Sequence, residues 1–132
     1  EVARRGAGRW NLDQVYALFP RLRERAANRA TKLSGGEQQM LAIARILRTG
    51  ARLLMLDEPT EGLAPVIIKQ IGRTILSLKQ SGYTILLVEQ NFRFAAPLAD
   101  RFYVMEHGRI IDRFAASELE ANMKKLHDYL GV

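Results

Sequence analysis

The sequence contains no cysteine among its 132 residues. That excludes a disulfide framework, a thiol nucleophile and any cysteine-based zinc or iron–sulfur site, and it suits a reducing compartment. Long apolar runs are missing too. Stretches such as Leu53 to Leu56 and Thr84 to Val88 fall far short of the roughly 20 residues that a bilayer-crossing helix needs. No basic segment leading into an apolar core and a small-residue cleavage site opens the chain, so a secretory leader is not expected. A further absence concerns phosphate binding. No Gly-x-x-x-x-Gly-Lys-Ser/Thr loop occurs, and the Gly-rich start Arg5-Gly6-Ala7-Gly8-Arg9 does not fit that pattern.

What is present is an ordinary globular composition, 48% hydrophobic, in a chain that starts at Glu1 rather than Met. Its length fits one domain or part of one, and a real core is expected. The formal charge of +6 is unevenly spread. Residues 1–32 hold eight Lys/Arg and three acids, whereas the other hundred hold twelve and eleven. The basicity thus belongs to the first quarter. A solvated Arg-rich face explains it, and a nucleic-acid or lipid-headgroup patch would need interleaved aromatics that are missing.

Apolar spacing predicts a first short helix, capped by Asn11 and carrying Leu12, Val15, Tyr16, Leu18 and Phe19, that Pro20 interrupts. After Leu33-Ser34-Gly35-Gly36, the positions Met40, Leu41, Ile43, Ala44 and Leu47 form the stripe of a longer helix ending near Thr49-Gly50. Leu53 to Leu56 reads as a fully buried parallel strand that stops at Asp57-Glu58-Pro59, and Tyr83 to Val88 as a second one that stops at Glu89-Gln90-Asn91. Between them, Val66, Ile67, Ile71, Ile75, Leu76 and Leu78 mark an amphipathic helix terminated by Gly82. The result is a strand–helix–strand crossover with parallel pairing. A short helix over 91–96, a hairpin of Arg101 to Glu106 and Arg109 to Phe114 turning at His107-Gly108, and a last helix with a capping box at Ser117 and Glu120 complete the chain.

In open parallel sheets ligands bind beyond the carboxyl ends of the strands, where Asp57, Glu58, Glu89 and Gln90 fall. An acidic pair straight after a buried strand is costly unless a cation or donors use it, although Asp57 capping the next loop would also account for it. Ser34, Gly35 and Gly36 put a hydroxyl and unhindered N–H groups at the positive end of a helix, which is a ready anion site as well as an ordinary cap. His107 and His127 have no second ligand at metal-binding spacing. Trp10, Phe19, Phe92, Phe94, Phe102 and Tyr103 read as core or interface.

Leu33-Ser34-Gly35-Gly36-Glu37-Gln38-Gln39 resembles the signature motif of ATP-binding cassette (ABC) ATPases. Leu53-Leu54-Met55-Leu56-Asp57-Glu58-Pro59-Thr60 resembles their Walker B strand and its extension, about twenty residues later as in the family. The resemblance covers essentially the whole chain but only the second half of a cassette, because the phosphate loop, the adenine-stacking strand and the Q-loop are absent. It implies an α/β fold, the C-terminal portion of the ABC ATPase (P-loop NTPase) fold, with a mostly parallel sheet, flanking helices and a C-terminal hairpin. Residues 1–50 would belong to the helical signature subdomain and 51–132 run from Walker B onward.

By the same resemblance, Leu33, Ser34, Gly35, Gly36 and Glu37 would engage the γ-phosphate of ATP held by the opposite subunit of a head-to-tail dimer. Asp57 would hold Mg²⁺ and Glu58 would activate the attacking water. Gln90 stands where the family usually keeps a switch histidine, and Ala64 stands where the loop after Walker B usually has Asp. Together with Glu61-Gly62-Leu63-Ala64-Pro65 and a terminal Tyr129-Leu130-Gly131, these departures are similar to one of the two ATPase subunits of bacterial high-affinity branched-chain amino-acid importers. The implied partners are a second ABC ATPase subunit, transmembrane permease subunits and, indirectly, a periplasmic solute-binding protein. The implied location is peripheral, on the cytoplasmic face of the bacterial inner membrane. ABC-type ATPases of DNA repair, chromosome organisation or translation share the same motifs, but usually with coiled coils or tandem cassettes that this chain does not show. The chain alone is expected to be inactive.

Overall fold

The computed structural model describes residues 10–130. The Gly-rich start Arg5 to Arg9 and the terminal Gly131 lie outside the described residues. Two compact units divide the chain, one ending at Glu89 and the other starting at Gln90.

In the first unit, α1 (Leu12–Leu18) is capped by Asn11, whose side chain accepts from the Gln14 N–H while Gln14 returns a bond to the Asn11 N–H. α1 ends at Phe19, and Pro20 opens α2 (Pro20–Glu24), where its missing N–H and fixed φ suit the first turn. A single 3₁₀ turn at Ala30–Lys32 leads into α3 (Gly35–Thr49). Of the expected stripes, Val15, Phe19, Met40, Ile43, Ala44 and Leu47 are buried, joined by Leu22, whereas Leu12 is exposed and Tyr16, Leu18 and Leu41 are half-buried. α3 stops at Gly50, which has a φ of 81° and supplies the left-handed C-cap that other residues adopt only with strain.

β1 (Leu53–Asp57), α4 (Pro65–Gln80) and β2 (Thr84–Val88) form the expected crossover, with β1 and β2 paired in parallel so that Leu53 stands opposite Thr84 and Asp57 opposite Val88. The strands are not fully buried as their sequence suggests. Leu54 and Leu56 are sequestered, whereas Leu53, Met55, Leu86 and Val88 are exposed. Successive strand residues face opposite sides of a sheet, and in this two-stranded sheet only one side is covered by the described residues. α4 likewise buries Ile71, Ile75 and Leu78 but leaves Val66 and Leu76 outside its buried stripe.

At the amino ends of both strands, the Trp10 indole N–H donates to the Tyr83 hydroxyl at 2.7 Å. The Arg52 guanidinium lies 5.0 Å from the centre of the Tyr83 ring and donates to the Ser81 carbonyl. Arg48, in the last turn of α3, donates to the Trp10 carbonyl.

In the second unit, Asn91 caps α5 (Phe92–Ala95), and β3 (Arg101–Glu106) pairs antiparallel with β4 (Arg109–Ala115). His107 and Gly108 turn the hairpin with φ of 46° and 75°, two successive left-handed residues that match the twist of a tight hairpin. The Phe102 ring lies 5.1 Å from Phe114 and 6.0 Å from Phe92, and Leu98, Phe114 and Leu126 are buried. The start of α6 (Leu119–Leu130) corrects the sequence expectation: the Glu118 carboxylate, not Glu120, accepts a backbone N–H, that of Ala115, and a 3₁₀ turn at Ala116–Glu118 precedes the helix. Ser117–Glu120 matches the capping-box pattern, whereas Ala115 has no hydroxyl to cap with, so only the returning carboxylate half of such a box forms, one pair earlier in the chain.

The first turn of α3 carries its own cap. Ser34 Oγ accepts from the Glu37 N–H at 3.3 Å, and the Glu37 carboxylate accepts from the Ser34 N–H at 2.9 Å. Arg25 Nε stands 3.5 Å from the same carboxylate. The Ser34 backbone bond, ahead of the side-chain bond and the Arg25 charge, holds the Glu37 carboxyl below the usual carboxylate range. Because its folded pKa is lowered, its stabilisation is present above the ordinary glutamate value near pH 4.3 and is lost as pH falls through the folded pKa. Denaturation midpoints of wild type and Glu37→Gln should therefore differ most near neutrality and converge as pH falls toward 3. A gap that widens with acid would contradict this.

Gly36, also in that turn, is buried against α4. A Cβ built on it would stand 2.6 Å from Ile67 Cγ2 and 3.1 Å from Cγ1, and these are atoms of a stiff β-branched side chain. Gly36→Ala should lower stability by about 1–3 kcal/mol as an overpacked contact. The loss should shrink in an Ile67→Ala background, as measured by a denaturant double-mutant cycle, and additive losses would rule out the contact as its cause.

Candidate functional site

Two clusters that the sequence singles out lie in the first unit. One is the amino end of α3. Ser34 is the N-cap, and the Gly35 and Gly36 N–H groups are the first two of a 15-residue helix, where geometry denies them an intrahelical acceptor. Gly35 is exposed and Gly36 buried. Leu33, half-buried, accepts from the Gln38 side-chain amide through its carbonyl at 3.0 Å. The cap, the glycines and the helix dipole together favour negative charge at this end. The Glu37 carboxylate already exploits that preference, and Arg25 neutralises part of its charge.

The other cluster is at the carboxyl end of β1. Asp57 closes the strand with an exposed side chain, and Glu58 follows half-buried. Glu58 has a φ of 44°, the left-handed region that a non-glycine residue enters at a cost of roughly 1–2 kcal/mol. Its N–H donates to the Val88 carbonyl at 2.9 Å, so the end of β2 holds this conformation in place. The chain then turns: Glu61 N–H donates to the Glu58 carbonyl, Leu63 N–H to the Thr60 carbonyl, and Gly62 takes a φ of 67°. Ala64 is the N-cap of α4 and contributes no side-chain cap, and Pro65 in the first turn removes one N–H that would need an acceptor.

These two clusters meet. A Cβ on Gly35 would be 3.4 Å from Leu63, and Gly36 abuts Ile67, so the start of α3 packs on the loop and helix that follow Glu58. Gln90 is exposed and opens the second unit. Among the described residues, no group of three or more His, Asp or Glu side chains is arranged to hold a metal ion by itself. Asp57 as a single carboxylate suits Mg²⁺, an ion that retains several waters and takes one or two protein carboxylates plus substrate phosphates.

Sequence reasoning missed a pairing beside Glu58. Glu89 Oε1 accepts from the Thr60 hydroxyl at 2.7 Å and from the Thr60 N–H at 3.2 Å, and Thr60 is buried. The signal that would have found it is the strand register. With Asp57 level with Val88, the residues just past each strand end must emerge as neighbours.

Among the described residues, no helix is long and apolar enough to cross a membrane. The family model described as ABC transporter matches residues 7–61. The chain is 52% identical, over 91% of its own length, to the high-affinity branched-chain amino acid transport ATP-binding protein BraG of Pseudomonas aeruginosa, of which it covers 52%. It is 43% identical over 82% of its length to the probable branched-chain amino acid transport ATP-binding protein LivF of Archaeoglobus fulgidus, covering 46% of that protein. A crystal structure of a nucleotide-free ATP-binding cassette from an ABC transporter superposes with a TM-score of 0.79 at 27% identity, over 89% of this chain and 47% of that one. The ADP conformation of MJ1267, another such cassette, superposes with a TM-score of 0.71 at 27% identity, over 91% of this chain and 50% of that one. The chain thus spans about half the length of the relatives it matches. On the signature-like helix start, the acidic end of a parallel strand and these likenesses, the chain resembles the ATP-binding cassettes of ABC transporters over the part of them that it spans.

Proposed function

We propose that this chain is part of the ATP-hydrolysing subunit of a membrane solute importer for branched-chain amino acids. The observation that carries the reading is the packing of a Ser-Gly-Gly helix start against the loop that follows Asp57-Glu58, with the two motifs in family order. The identity to BraG and LivF supports the solute class. In this reading residues 1–50 serve as the signature-bearing helical part and 51–132 as the catalytic part from Walker B onward.

Each residue has a physical role. Leu33, Ser34, Gly35, Gly36 and Glu37 present a capped, dipole-positive helix start to the γ-phosphate of ATP bound by a second cassette subunit, paired head to tail. Asp57 takes Mg²⁺ through water, and that ion supplies neutralisation of phosphate charge. Glu58 accepts the proton of the attacking water. Gln90 can donate to a phosphate oxygen and accept from water, but unlike histidine it does not titrate near neutrality. Arg21 in α2 and Arg25 just after it use their charge locally, in the Arg21–Glu24 and Arg25–Glu37 pairs, which accords with a solvated face rather than a nucleic-acid patch. Permease subunits, a periplasmic binding protein and a peripheral position on the cytoplasmic membrane face complete the assembly.

In the complete ATPase, Glu58→Gln should keep nucleotide binding while phosphate release falls by a factor on the order of 100 or more, the scale of a lost general base. Unchanged hydrolysis refutes the assignment of Glu58. The 132-residue chain by itself, having no phosphate loop, should show no tight ATP binding by calorimetry. A micromolar dissociation constant would overturn that statement.

A further inference from the structure

The loop that carries Glu58 is held from two sides by the end of β2. Behind it, the Val88 carbonyl takes the Glu58 N–H at 2.9 Å. Ahead of it, the Glu89 carboxylate takes both donors of Thr60, hydroxyl and N–H, at 2.7 and 3.2 Å. Thr60 is only 5% exposed, so its hydroxyl has little water to turn to if that acceptor is lost. Between the two anchors Glu58 keeps a φ of 44°, a conformation that persists only when the surroundings over-determine it. A charged oxygen that accepts two donors is a strong anchor, and it acts on the second residue after Glu58.

From this geometry we infer that Glu89 is a positioning residue for ATP hydrolysis: its carboxylate fixes Thr60, and through the Glu58-Pro59-Thr60 turn it fixes the direction in which Glu58 presents its carboxylate. The inference rests on the reading of Glu58 as the water-activating group. Glu89 moves no proton in this scheme. It determines whether Glu58 stands where the water is, and a small misplacement of a reacting group is enough to cost a large factor in rate.

Kinetics of the complete, assembled ATPase test it with Glu89→Ala, Glu89→Gln, Thr60→Val, the Glu89→Ala/Thr60→Val double variant and Glu58→Gln. Glu89→Ala and Thr60→Val should each lower kcat by roughly tenfold or more, with KM for ATP held within about twofold. The double variant should be no slower than the slower single one, because both remove the same bond. Glu89→Gln should retain most of the rate, since its amide oxygen accepts the same two hydrogen bonds.

Wild-type kcat in Glu89→Ala overturns the inference, even where the melting temperature drops, because the tie is then only structural. So do additive losses in the double variant. A Glu89→Gln variant as slow as Glu89→Ala also overturns it, because the charge would then act directly. Intact hydrolysis in Glu58→Gln is a separate failure: it removes the underlying reading, whatever the Glu89 variants do.

Discussion

The parallel pairing of β1 with β2 is the constraint on which the rest of the first unit depends. Its register sets Asp57 level with Val88, so two segments far apart in sequence leave the sheet at one edge. Everything of chemical interest in that unit hangs from this edge. The strained Glu58 is caught by a β2 carbonyl, Thr60 by a β2-terminal carboxylate, and the loop beyond them supplies the surface on which α3 begins. A one-residue slip would turn Leu54 and Leu56 toward solvent and part Thr60 from Glu89 in the same stroke. Hydrophobic burial thus enforces the alignment of the polar end.

The start of α3 shows how one residue type can serve packing and electrostatics together. Gly36 lacks a side chain because Ile67 occupies that space, and its amide lies in the turn whose dipole favours an anion. A larger residue would push the helix off the loop that follows Glu58. The two clusters are consequently one mechanical object, in which displacement of the helix start is felt by the acidic loop through Leu63 and Ile67.

Local features were legible in the sequence, and features that depend on register or coverage were not. The Ser34 cap, the Gly50 stop and the His107-Gly108 turn are decided within a few residues, and the structure forms each of them. The start of α6 is also local, yet it departs from the Ser117–Glu120 pattern, and Glu118 takes the bond. The exposure of Met55 and Leu86 could not be inferred from their apolarity, because it depends on what covers a face and not on the strand itself. The Thr60–Glu89 tie spans 29 residues and shows no pattern until the strands are aligned. The likeness to ABC cassettes was readable because their motifs are short and contiguous.

The clamp at the other end of the sheet has a consequence of a different kind. Trp10 is the chain's single tryptophan, and its indole is hydrogen-bonded to Tyr83, one residue before β2, while the acidic loop leaves the far ends of the same strands. Five strand residues separate the two ends, about 16 Å at the usual rise. The chain therefore carries its one tryptophan fluorophore at the foot of the sheet, set apart from the acidic edge. Its emission reports whether the scaffold is closed and leaves the chemistry at the opposite edge to other probes.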